Sequence, residues 1–163
     1  MMKTAQLTLM AAFIAIGVIG ATFFWFPTGI AHAFPVQHAI SIVSAVLLGP
    51  LPAVIIAFGI GLIRNLLGLG TLLAFPGGMI GAILAGLLYR WQPKTASAIT
   101  GEIIGTGIFG SLLSIPIARL LMGQSVGMLA FAPGFIISSL SGSLLALLVL
   151  PKLKHLETRL FND

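Results

Sequence analysis

Glu102 is the one acidic residue within the long apolar part of this chain, and a charge at the centre of a bilayer costs on the order of 3 kcal/mol even on the mildest scales. A carboxyl group held there is either paired with a neighbouring helix or engaged with a ligand, and residue type leaves both readings open. Gln37, Ser41 and Ser44 stand at i, i+4 and i+7 with His38 beside them. On a helix they form one polar stripe, which belongs in a bundle interior and not against lipid. His38 is then either a packing residue with its hydrogen bond satisfied or part of a binding site. His32 stands in a segment that water reaches. Arg64 and Asn65 come near the end of another apolar stretch; the arginine stem is long enough to snorkel to an interface, whereas Asn65 has no such route.

These residue types exclude more chemistry than they supply. There is no cysteine, no Ser-His-Asp set and no pair of carboxylates, so an enzyme is not indicated. His32, His38 and Glu102 are the nearest thing to a metal set, but there is no H-E-x-x-H and no second acid in the spans. No cofactor is called for. The chain has no G-x-x-x-x-G-K-[ST] phosphate loop and cannot hydrolyse ATP itself. A lone membrane carboxylate gives little apparatus for ion coupling. Such a chain binds a solute and depends on a partner to energise its passage.

The elements that position these residues are membrane helices. Of 163 residues 58% are hydrophobic and 7% charged, with a mean hydropathy of +1.16, far from the roughly 25% charge of a soluble domain. The charge-free run between Lys3 and Arg64 greatly exceeds the ~20 residues of one span. The net charge of +5 is spread over span ends and makes no nucleic-acid patch. Lys3, an apolar run and Ala31-His32-Ala33 mimic a signal peptide, but that run is longer than the usual 7–15 residues, so the first span is expected to stay.

An all-α bundle of six transmembrane helices is expected, one domain over 1–151 with a basic tail at 152–163. The helices run from Ala5 to Phe24, Pro35 to Leu48, Pro52 to Leu67, Phe75 to Arg90, Thr95 to Leu121 with a kink at Pro116, and Pro133 to Leu150. Pro27 and Pro35 bracket the first loop, which leads into the N-terminus of the second helix, where Gln37 and His38 sit in the first turn. Gly49-Pro-Leu-Pro52 reads as a tight turn. The second to fourth helices are short, and the second and third have the alternative of a re-entrant hairpin. Leu153, Leu156, Leu160 and Phe161 recur at helical spacing among basic residues, either as a surface helix or as a frayed end. Lys3, Arg90, Lys94, Lys152, Lys154 and Arg159 fall on one side against Arg64 and Arg119. Six to two assigns the termini to the cytoplasm and the loops near His32, at Gly68 to Phe75 and at Met122 to Ala132 to the outside. Glycines and other small residues four apart, as in Gly77/Gly81/Ala85, Gly101/Gly105 and Ser138/Gly142/Ala146, pack helices closely. Ala11/Ala15 is the one small-residue face left open for another protein.

Gly29-Ile-Ala-His-Ala-Phe-Pro-Val-Gln-His38, Leu48-Gly-Pro-Leu-Pro52, Phe75-Pro-Gly-Gly-Met79 and Gly101-Glu-Ile-Ile-Gly-Thr106 resemble the substrate-binding S components of energy-coupling factor (ECF) transporters, most closely the ThiW family associated with thiazole uptake. The resemblance covers almost the whole chain. It implies six helices, a pocket near the outer face under the first loop, and no ATPase activity in this subunit. It also implies a membrane-embedded T component and two cytoplasmic ATPases as partners in a bacterial inner membrane. An A-x-x-x-A face on the first helix meets the T component in such proteins, and Ala11/Ala15 match it. The implied solute is 4-methyl-5-(2-hydroxyethyl)thiazole, or another thiamine-related vitamin. Trp25, Phe34 and His32 supply aromatic faces, Gln37 or His38 a donor, and Asn65 or Glu102 an acceptor. Competing readings are a proton-coupled carrier using Glu102 and His38, and a membrane protein outside transport, such as an assembly factor or intramembrane enzyme.

Overall fold

A computed structural model of the chain describes residues 4–29, 32–127 and 129–161, with side chains described as far as 153. Helix α1 spans Thr4–Phe23. A short hairpin follows, β1 Phe26–Pro27 paired antiparallel with β2 His32–Ala33. Then come α2 Pro35–Leu48, α3 Pro50–Leu66 and α4 Ala74–Trp91. A long rod is built from α5 Thr95–Glu102, a π-helical segment Ile103–Gly110 and α6 Ser111–Leu121, and α7 covers Ala132–Phe161. Among the described residues these make six helical rods. Three stretches, Thr4–Phe23, Thr95–Leu121 and Ala132–Leu153, are long and apolar enough to cross a membrane, while α2 and α3 are shorter apolar helices.

The polar stripe on α2 does face inward, but so does the rest of the helix. Gln37 through Val46 are all buried, because α2 is the central rod, touching α1, α3, α4, α5 and α7. Its serines are satisfied locally: Ser41 Oγ donates to the Gln37 carbonyl and Ser44 Oγ to that of Ile40. By contrast, α1 buries one side only. Met10, Phe13, Gly17, Gly20 and Ala21 are buried at helical spacing, with Gly17 against Ile60 of α3 and Gly20 against Val36 of α2. Ala11 and Ala15 lie on the exposed side.

Three local expectations are corrected, and the fifth rod holds a π segment that none of them includes. The turn at residues 49–52 is one residue long: Gly49, at φ +89, reverses the chain in a conformation that costs glycine little. Pro50 then occupies the first helical position of α3, where its missing N–H is no loss. The first loop contains the β1–β2 hairpin, whose strands are too short to leave an alternating pattern. Departure from α geometry in the fifth rod comes before Pro116, in the π segment. Its wider turns line up glycines five apart: a Cβ on Gly105 would lie 2.7 Å from Gly81 Cα, and one on Gly110 2.6 Å from Gly77 Cα. The fifth rod and α4 therefore meet backbone to backbone, as the glycine spacing predicts. Finally, α7 does not stop at Pro151, since one lost backbone bond is tolerated where neighbouring groups compensate. Lys3 and the side chains of the basic tail from Lys154 onward lie outside the described residues.

Candidate solute-binding site

The loops after α1, α3 and α6 gather at one end of the bundle around a cavity of about 350 Å³. That volume is at the low end of the roughly 300–1,000 Å³ of small-molecule clefts. Every rod except α1 contributes to its wall. One side is aromatic: Trp25 meets His32 edge-on at 4.4 Å between ring centroids, and His32 meets Phe34 at 6.3 Å. Phe131 and Phe135, 6.2 Å apart, contribute from the last loop and α7. The Phe34 N–H donates to Ser138 Oγ at 2.7 Å, which ties the hairpin to α7.

The first turn of α2 supplies an oriented amide. Gln37 Oε1 accepts a 2.7 Å hydrogen bond from Arg64 Nη1, and only the oxygen of the amide can play that part. Its Nε2 donor is left facing the Gly78 side, where a Cβ would come within 3.2 Å of it. Gly78 also lines the cavity. Arg64 itself is only 1% exposed. It donates a second bond from Nη2 to the Leu69 carbonyl and stands 3.9 Å over the Phe34 ring. The expected snorkelling does not occur: the side chain turns into the bundle and braces the α3–α4 loop.

His38 and Glu102 meet. Nδ1 and Oε1 are 2.6 Å apart, with Glu102 fully buried and His38 6% exposed. Thr106 Oγ1 lies 2.9 Å from the same carboxyl oxygen and 3.0 Å from the Gly77 carbonyl, so one hydroxyl hydrogen stands between two acceptors. Glu102 Oε2 is buried without a partner, pressed against Gly81, where any Cβ would collide with it. The carboxyl lies behind His38 and Thr106, both of which line the cavity. When His38 Nδ1–H donates to Glu102, the neutral ring keeps Nε2 as an acceptor for a ligand.

Of the residues singled out by sequence, His32, Phe34, Gln37 and His38 line the cavity. Trp25 stands behind His32 and Glu102 behind His38. Asn65 is elsewhere: its amide donates to the Gly61 and Thr71 carbonyls, closing the turn after α3. Sequence reasoning missed Arg64, Thr106 and Ser138 as wall residues. The i, i+4 spacing of Glu102 and Thr106 was a usable signal for the second. For Arg64 there was none, since snorkelling and burial differ only in which way the stem turns.

A family model for a thiamine-precursor transporter protein (ThiW) matches residues 7–156. The chain belongs to the ThiW family. No curated protein matches it. Among solved structures, the S component of a bacterial ECF transporter matches with a TM-score of 0.76 and 23% identity, covering 93% of this chain and 96% of that one. At that identity the likeness establishes the fold: this ThiW chain is built as an S component is. Membership places it among transport proteins and not enzymes, as a multi-pass helical membrane protein.

Proposed function

We propose that this ThiW chain binds 4-methyl-5-(2-hydroxyethyl)thiazole in the cavity at the outer end of the bundle and delivers it through partners. The observation that carries this reading is the meeting of an oriented amide donor, an imidazole and aromatic rings around one cavity of small-molecule size. Gln37 Nε2 donates to the ring nitrogen, His38 Nε2 accepts from the hydroxyl, and Phe34 and His32 cover the ring faces. Trp25 backs His32, and Glu102 acts through His38 by holding its tautomer. Asn65 contributes by fixing the loop that carries Leu69. The termini face the cytoplasm of a bacterial inner membrane, and Arg64, being buried, drops out of the charge count, which leaves Arg119 alone at the cavity end and sharpens the asymmetry. With no phosphate-binding loop of its own, the chain relies on a T component and two ATPases, the T component seated on the exposed Ala11/Ala15 face of α1.

Mass spectrometry of the small molecule that co-purifies with the chain, followed by calorimetry with the thiazole alcohol, tests the reading. Recovery and binding of that alcohol are expected; recovery of an unrelated solute with no binding of the alcohol overturns it. The His38–Glu102 contact also favours a second reading, a proton-coupled carrier. Uptake driven by a pH gradient in vesicles holding only this chain would establish that reading instead.

A further inference from the structure

The wall of the cavity holds a guanidinium with no anionic partner. Among the described residues the single acid–base contact within 4.0 Å is His38–Glu102, so Arg64 has no carboxylate beside it. A guanidinium carries five N–H donors. Two hydrogen bonds account for part of these, both to neutral oxygens, on Gln37 and Leu69, and Nε is buried without an acceptor. Among the described residues the other compensation is the Phe34 ring face at 3.9 Å. Burying a cation without an opposite charge is costly. Glu102 lies against His38 and Thr106, behind the wall, and makes no ion pair with Arg64.

We infer that Arg64 sets the specificity of this cavity, and that the preferred solute carries an oxyanion, a carboxylate or a phosphate monoester, on the arm where the thiazole alcohol carries its hydroxyl. A planar fork with unused donors pairs with an oxyanion in two parallel bonds, which a hydroxyl cannot match. The inference rests on the cavity being the solute site; it changes which derivative is preferred there and turns that derivative's arm from His38 Nε2, which an oxyanion cannot donate to, toward Arg64. Arg64 also braces Gln37 and the α3–α4 loop, so loss of affinity in a variant would not by itself separate recognition from scaffolding. The ratio of anion to alcohol affinity does, because a scaffold defect weakens both ligands together.

Calorimetry on the purified full chain uses three probes: the hydroxyethylthiazole alcohol, its phosphate monoester, and the acid in which the terminal carbon is a carboxylate. At least one anion is expected to bind about tenfold tighter than the alcohol, the advantage of a charged over a neutral hydrogen-bonded pair, and comparison of the two anions identifies the oxyanion. Arg64→Gln is expected to remove that advantage and Arg64→Lys to keep part of it. An alcohol that binds wild type as tightly as the tighter of the two anions overturns the inference and leaves the proposed function standing, and needs no variant that folds. A ratio unchanged in Arg64→Gln also overturns it. Failure of all three probes to bind overturns both readings.

Discussion

Gln37 and His38 are adjacent in the chain but face different partners, the amide held by Arg64 and the imidazole by Glu102. Removing either donor or acceptor leaves a ligand group unpaired, at about 1–3 kcal/mol, or roughly five- to 150-fold in affinity. Gln37→Ala is expected to weaken solute binding at least about fivefold on that scale, measured by calorimetry on the detergent-purified chain. His38→Ala also orphans a fully buried carboxyl, so the informative comparison is the His38→Ala, Glu102→Gln double variant, with a loss of the same order. Wild-type affinity in both would move the site away from the first turn of α2. Gln37 and His38 were legible in the sequence because a proline-started helix in an apolar chain leaves its polar first turn conspicuous. Their partners were not, since the contacts Gln37–Arg64 and His38–Glu102 join residues 27 and 64 positions apart, and nothing local to either residue encodes them.

Small-residue spacing on α4 and the fifth rod foretold close contact, yet the register depends on the π segment. Gly105 and Gly110 are five apart, which an α-helix would turn to different faces; the widened turns bring both against α4. Gly105→Ala is expected to destabilise the chain by about 1–3 kcal/mol, since its Cβ meets backbone and not a side chain that can swing aside. Gly127→Ala, where nothing lies within 4 Å, is the control. Thermal unfolding in detergent checks both, and equal stability of the two variants would mean that the rods are not packed in this register. The sequence marked the helices well because apolar runs and prolines set their ends. The π segment is not legible there because such segments have no compositional rule, whereas Pro116 carries a known penalty and stands out.

α1 stands apart from the cavity that the other rods enclose, and its outer side carries Ala11 and Ala15. Replacing either with a bulky residue is expected to abolish uptake in cells while leaving solute binding by the isolated chain nearly unchanged. Equal loss of binding would make that side an internal packing face. A cysteine at Thr95 is expected to be labelled only from the cytoplasm and one at Thr28 only from outside; the reverse pattern would invert the assignment. Beneath the cavity, Ala53, Ala82, Ala85, Ala98 and Ala146 are wholly buried, and Gly86 and Gly142 press against the backbones of Pro50 and Pro35. Among the described residues, small side chains there let the rods pack closely. If the cavity holds the solute as proposed, this packing means that a solute seated there reaches the far side only after the packed rods rearrange.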